Sequence, residues 1–376
     1  MRLTIAHVAD LHIGKNRRYA DYLEQQRWML EGIIRITMDL AASGEPVWLV
    51  VAGDVFERNE DTNRAELALF MIHFLNPILD LARLYPEFRC VMIDGNHDRQ
   101  PQDPPSVLSP FDSLSTSQVT IRTKYPLHLP ELSMLLVPFG NWTDQGLRTL
   151  LKESPSQFMV AHECLARMVT DQGWTPPRDQ DHYCEIENVL EGLDLAGVFM
   201  GDIHRCQPLD RREICWYSGS PVTHDFGHKL PKGVLVHRFR KTPQDLWARD
   251  GRPELVDLPD DRIRSHHQLG KIIKVDEIPM DFLRDFRRKY LSLTVTPETY
   301  QVIDKELPDF FHAQQVSYEF DRVESSPEAT TDPDLAVDDT IDRGAIARFI
   351  DENLIELSKD ERDEAFERVM RDFASR

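Results

Sequence analysis

The sequence predicts an α/β fold, a two-sheet α/β sandwich followed by a small α+β domain and a C-terminal helical pair. Three observations lead there. Apolar, β-branched runs alternate with helical periodicity from Leu3 to Ile93, the pattern of parallel strands with covering helices. Five apolar runs each end in residue types that ligate metals. Beyond residue 241 the composition changes and a second, smaller set of elements begins.

The elements follow in order. Leu3 to Val8 reads as the first strand, Asp21 to Leu40 as a helix, and Val47 to Ala52 as a second buried strand. Asn63 to Leu84 has the spacing of a long helix that Pro77 is placed to kink, and Cys90 to Ile93 is the third strand. Pro101 to Pro110 is a proline-rich loop, and Arg167 to Tyr183 a polar, irregular one. Further strands are expected at Val119 to Arg122, Met134 to Val137, Phe158 to Val160, Val198 to Met200, Cys215 to Tyr217 and Val234 to Phe239, with helices at Asp144 to Lys152 and Glu185 to Glu191.

These elements define a first domain over 1–241. Thr242 to His267 reads as polar and irregular. The small domain, 268–322, combines strands at Ile272 to Val275, Leu291 to Val295 and Val316 to Phe320 with helices at Met280 to Lys289 and Thr299 to Leu307. Residues 323–342 form an acidic, proline-containing linker, and 343–376 carry two amphipathic helices, Ala345 to Ile355 and Glu361 to Phe373. That pair is too short to fold alone, so its apolar stripe requires a partner surface.

The chain has 376 residues and a net charge of −20, which argues against non-specific nucleic-acid binding by the whole surface. A basic scatter (Arg205, Arg211, Arg212, Lys229, Lys232, Arg238, Arg240) is either a local binding face or ordinary solvated surface. No apolar run approaches the roughly 20 residues that span a bilayer, and no signal peptide is recognisable, so a cytoplasmic protein without membrane contact is expected. Five cysteines (Cys90, Cys164, Cys184, Cys206, Cys215) without a CxxC pair read as reduced thiols.

The chemistry lies at the strand ends, the edge where open α/β sheets bind ligands. They carry Asp10-Leu11-His12, Gly53-Asp54, Gly95-Asn96-His97-Asp98, His162 and Gly201-Asp202-Ile203-His204. Asp10, His12, Asp54, Asn96, His162, Asp202 and His204 supply the hard oxygens and imidazoles of a two-metal phosphoester site, with Asp54 the natural bridge. His97 is placed to protonate the leaving oxygen or stabilise charge, with Asp98 expected to orient its ring. His7 and His73 read as core or surface residues. His224, His228, Ser218 and Ser220 are candidates only for incidental contact with substrate.

The series D-x-H, GD, GNHD, H and a final Gly-x-x-His resembles the calcineurin-like metallophosphoesterase superfamily. Within it, Gly53-Asp54-Val55-Phe56, the segment Tyr217-Ser218-Gly219-Ser220-Pro221 with Lys232-Gly233-Val234, and the domain order resemble the SbcD-type DNA nucleases. The resemblance implies a sandwich of the metallophosphoesterase type with a capping domain over 268–322. It assigns one metal to Asp10, His12, Asp54 and His204, the other to Asp54, Asn96, His162 and Asp202, and catalysis to His97. The final motif is usually Gly-His-x-His, so Asp202 replaces an imidazole with a carboxylate, which favours manganese or magnesium over softer metals. Some members place a histidine just after the GD motif. Glu57 stands there, so that role does not carry over.

The resemblance further implies a manganese-dependent double-strand exonuclease and single-strand endonuclease. It would act on DNA as a homodimer bound, through the C-terminal helices, to an SbcC-type coiled-coil ATPase. Two rivals remain open: a phosphatase or small-molecule phosphodiesterase of the same superfamily, and a weakly catalytic scaffold subunit.

Overall fold

The computed structural model describes residues 1–17, 22–59, 61–99, 106–140, 142–170, 173–175, 185–224 and 232–258, together with the backbone of three strands between 264 and 323. The chain divides into two compact units, Met1–Ser325 and Ser326–Arg376, and all described residues lie in the first.

The first sheet is built from β1 (Arg2–Val8), β2 (Val47–Ala52), β3 (Phe88–Ile93) and β4 (Val119–Arg122), all parallel. The second contains β5 (Leu127–Leu129), β6 (Met134–Val137), β7 (Phe158–His162), β8 (Gly197–Gly201), β9 (Gln207–Pro208) and β10 (Cys215–Tyr217), in the order β5-β6-β7-β8-β10-β9. The chain then returns to the first sheet as β11 (Gly233–Lys241), antiparallel to β1, and extends it with β12 (Trp247–Arg249) and β13 (Glu254–Asp257), both antiparallel to β11.

The parallel strands read as unbroken apolar runs because both faces are covered. On one face of the first sheet, Ala6, Val8, Leu49, Val51 and Met92 meet Met29, Leu30 and Ile33 of the helix Tyr22–Ala41 and Phe70, Phe74 and Ile78 of the helix Arg64–Leu84. On the other, Leu3, Ile5, Val50, Val91 and Ile93 face Leu136, Phe158, Val160 and Phe199 of the second sheet. The outer face of the second sheet is closed by the helices Asp144–Glu153 and Ile186–Leu190 through Leu147, Leu151, Val189 and Leu190. The layers therefore run helix, sheet, sheet, helix, the α/β sandwich expected.

Arg64–Leu84 is the one helix among the described residues long and apolar enough to cross a membrane, yet it packs Phe70, Phe74, Leu75 and Ile78 onto the sheet. Pro77 does not end it. A π-helical turn at Met71–Leu75 precedes the proline and is closed by Asn76 N–H donating to Met71 O, so Pro77 falls in the first turn of the next α-helical segment, where its missing N–H is tolerated.

The described part of 242–267 is not all irregular. It holds β12 and β13, and a further strand, β14 (Arg264–Gln268), begins in it. Their hydrogen bonds come from neighbours distant in sequence, such as Val234 opposite Val256, so little local apolar pattern marks them. β14 forms a three-stranded parallel sheet with β15 (Tyr290–Val295) and β16 (Ser317–Val323). The strand expected at 272–275, the helices at 280–289 and 299–307, the linker and the C-terminal helices fall outside the described residues, as do Cys184, His228 and Lys229. The four described cysteines are free thiols.

Candidate metal centre

The loops that leave β1 and β2 are zipped together along their backbones. Asp10 N–H donates to the Gly53 carbonyl at 3.1 Å, His12 N–H to Asp54 O at 3.0 Å, Ile13 N–H to Val55 O at 2.9 Å and Glu57 N–H to Ile13 O at 2.9 Å. The loop after β3 joins them where His97 N–H donates to Asp54 Oδ1 at 2.9 Å and Asn59 N–H to His97 O at 3.1 Å. From the second sheet, Asp202 N–H donates to Asp10 Oδ1 at 3.0 Å. Strand ends of both sheets thus converge on one edge.

The turns are tight. Asp10, His12, Asp54 and Asp202 all have positive φ (56°, 47°, 53° and 98°), four of the nine such non-glycine residues among those described. Each conformation costs of order 1–3 kcal/mol and persists only where the surroundings enforce it. Two glycines make room: a Cβ on Gly53 (φ 88°) would strike His162 Nδ1, and one on Gly95 would strike Asp54 Oδ1.

The side chains form three overlapping groups, one of them His12, Asp54 and His97. Asp10, His12 and His204 bring ligand atoms within 4.8 Å of one another, and so do Asp10, Asp54 and His162. In the first, His12 Nε2 faces His204 Nε2 at 2.9 Å, and Asp54 Oδ2 lies 3.8 Å from His12 Nε2. In the second, His162 donates from Nδ1 to the Ala52 carbonyl at 2.7 Å, because a carbonyl can only accept. Its Nε2 then faces Asn96 Oδ1 at 2.9 Å, Asp54 Oδ1 at 3.3 Å and Asp202 Oδ1 at 3.8 Å. All seven expected ligands are therefore brought together, Asp202 the most loosely. His97 belongs to the same cluster, its ring 4.7 Å from that of His12.

This donor set demands positive charge. Lone-pair atoms converge, and Asp10 Oδ2 is buried without a hydrogen-bond partner among the described residues. Burial pushes the Asp10 carboxyl up to about 8, against the pull of His162. Burial works the same way on Asp54, but the charges of His162, His12 and His97 outweigh it and hold that carboxyl below its usual range. For His162, burial opposes protonation, yet Asp54, Asp202 and Asp10 raise it well above the ordinary imidazole value. In metal-free protein a proton must stand where a cation is called for. Buried carboxylates and imidazoles that keep oxygens and nitrogens turned toward one another fit a pair of hard divalent ions.

Asp98 does not orient the His97 ring. Its carboxylate accepts the backbone N–H groups of Val55 (3.1 Å), Phe56 (2.8 Å) and Gly95 (2.9 Å), and so clamps two site loops. The His97 ring is held by the Glu57 carbonyl, 2.7 Å from Nδ1. Ser218 and Ser220 spend their hydroxyls on Gly219 O and Val222 O within a buried turn. His7 is buried in the core, and His73 is a surface residue 2.9 Å from Glu31. Arg238 and Arg240 pair with Glu254 and Asp250, as expected of a solvated face.

Two residues stand at the site in places the sequence did not give them: Glu57, expected only to lack the role of the histidine some members have, and His224, expected at most to touch substrate. Glu57 Oε2 lies 2.8 Å from His12 Nδ1. His224 is buried, donates from Nε2 to the Asp10 carbonyl at 2.9 Å, and packs its ring 5.1 Å from His12 and 5.4 Å from His204. Only the three-residue spacing from Asp54 marks Glu57, and nothing local marks His224.

No curated protein matches the chain. The family model of the calcineurin-like phosphoesterases matches residues 3–206, more than half of the sequence and the span that carries all seven candidate ligands. Members of this family hydrolyse phosphoesters with divalent metals, the chemistry that overlapping acid-imidazole groups at a shared sheet edge are suited to perform; the chain belongs to the calcineurin-like phosphoesterases.

Proposed function

We propose that the chain is a manganese-dependent DNA nuclease of the SbcD type. It acts as a double-strand exonuclease and single-strand endonuclease, and as a cytoplasmic homodimer in complex with an SbcC-type coiled-coil ATPase. The observation that carries the narrower reading is the segment Tyr217 to Pro221 with Lys232, whose motif resembles those nucleases. It packs directly on the last ligand loop: Ser220 N–H donates to His204 O at 3.1 Å, and Lys232 Nζ donates to the same carbonyl. The order of a phosphoesterase domain, further α/β elements and an acidic linker before amphipathic helices also supports it.

Bound divalent ions supply a lowered pKa for water and neutralise charge on the phosphoryl oxygens. Asp10, His12, Asp54 and His204 would hold one, and Asp54, Asn96, His162 and Asp202 the other. Asp54 has two oxygens on opposite sides of the cluster, one toward His12 and one toward His162, as a bridge requires. His97 commits its Nδ1–H to the Glu57 carbonyl, so it would deliver a proton to the leaving oxygen from Nε2 only as the doubly protonated imidazolium, returning to the Nδ1–H form. Asp202 adds negative charge where the family usually has imidazole, and this favours manganese or magnesium.

The deciding experiment is cleavage of end-labelled linear double-stranded DNA by wild type and His97→Ala, with manganese, magnesium or chelator, with and without the ATPase. Manganese-dependent degradation that His97→Ala loses is expected. Turnover of a small phosphodiester without DNA cleavage would instead favour a small-molecule phosphodiesterase, to which the net charge of −20 is congenial. Inactivity on both would favour a scaffold subunit weakened at Asp202. Deletion of residues 345–376 should abolish co-purification with the ATPase and spare hydrolysis of the small ester.

A further inference from the structure

We propose that Glu57 is a positioning residue that sets the tautomers of two site histidines at once, His12 through its side chain and His97 through its main chain. The proposal rests on the two-metal reading above. The family position three residues after the GD motif is filled here by a carboxylate, and the structure turns it away from the cluster centre and onto the far nitrogen of a ligand.

The side-chain half is a short contact. Glu57 Oε2 lies 2.8 Å from His12 Nδ1, off the axis of the ring N–H. Both atoms are buried, and neither makes an aligned hydrogen bond among the described residues, so the pair is a close charge contact rather than a finished hydrogen bond. A carboxylate accepts, so Nδ1 carries the proton and Nε2, which faces His204 Nε2 at 2.9 Å, keeps its lone pair for the metal. The other carboxylate oxygen is steadied by Lys15, with Nζ at 3.5 Å. A carboxylate behind a ligating imidazole fixes the ring and raises its basicity, and the loss of such a partner typically weakens metal binding about 10–100-fold.

The main-chain half is independent of residue type. The Glu57 carbonyl is 2.7 Å from His97 Nδ1 and can only accept, so His97 also carries its proton on Nδ1. The carbonyl is held in place because Glu57 N–H donates to Ile13 O at 2.9 Å and Asn59 N–H to His97 O at 3.1 Å. One residue thus couples a metal ligand to the catalytic histidine across the zipped loops, through separable atoms.

That separation gives the test. Histidine ring ¹⁵N spectra of metal-free protein report each tautomer, and a manganese titration reports affinity. In Glu57→Ala, His12 should lose its single Nδ1–H tautomer while His97 keeps its own, and manganese should bind about 10–100-fold more weakly. An unchanged His12 tautomer and unchanged manganese affinity would overturn the proposal, even if thermal stability fell. If Glu57→Ala does not fold, Glu57→Gln decides. Its amide both donates and accepts, so His12 should populate both tautomers, and a single Nδ1–H form would count against the carboxylate. Wild-type protein that takes up no manganese would defeat the two-metal reading, whereas the metal-free tautomer measurement would still judge Glu57.

Discussion

Asp10 and Asp202 are 192 residues apart, yet Asp10 Oδ1 accepts the Asp202 backbone N–H at 3.0 Å. That bond joins the C-terminal end of a strand in the first sheet to that of a strand in the second, so the candidate site exists only where the two sheets are packed. Asp10 uses one oxygen for this tie and leaves the other buried and unpartnered among the described residues.

Asp10→Ala should therefore remove both a candidate ligand and the tie. Losing Lewis-acid stabilisation worth several kcal/mol corresponds to a fall in phosphodiester hydrolysis of about 10³-fold or more. Kinetics on a small phosphodiester at saturating manganese check this. Retention of even a tenth of the activity would remove Asp10 from the metal site.

Metal affinity should depend on pH with a definite sign. Burial pushes the Asp10 carboxyl up to about 8, and only the deprotonated form ligates. Manganese and protons compete, so affinity should weaken as pH falls below about 8, by up to about tenfold per unit for each proton displaced. Calorimetric titrations from pH 6 to 9 in two buffers would show proton release on binding. Tighter binding at pH 6 than at pH 8 would contradict this account.

Asp98 should matter chiefly for stability. Asp98→Ala strands three buried backbone N–H groups, each costing about 1–3 kcal/mol, so a loss of at least about 3 kcal/mol is expected in urea denaturation. Asp98→Asn keeps one acceptor oxygen and should fall in between. A variant as stable as wild type but inactive would restore a direct catalytic role.

A buried pair of neutral histidines should make the fold sensitive to acid. Burial lowers His7 to about 3 and takes His237 well below the ordinary value. Their rings lie 5.7 Å apart beside Phe199. The unfolded chain takes up protons near pH 6.5 that the folded core refuses. Stability is thus fully present above about 6.5 and is lost as pH falls towards 3, by up to about 1.4 kcal/mol per unit for each histidine. Denaturation between pH 7 and 4 should show wild type losing stability relative to His7→Leu as pH falls, and a difference independent of pH would contradict this account.

The sequence by itself determined the layers and the contents of the site. Parallel strands covered on both faces must be apolar throughout, so β1, β2, β3, β7 and β8 are legible as runs such as Leu49 to Ala52. The residues at their ends are legible because metal chemistry restricts residue type. Only the tertiary structure decided the rest. β12 and β13 owe their hydrogen bonds to β11, so local sequence does not mark them. Asp98 reads as a partner for the adjacent His97, but its two oxygens meet three backbone amides of the zipped loops. Glu57 and His224 become neighbours of His12 through the same long-range geometry. Strand pattern and ligand type are local properties of a chain. Which buried donor meets which acceptor depends on the register of loops brought together from distant positions.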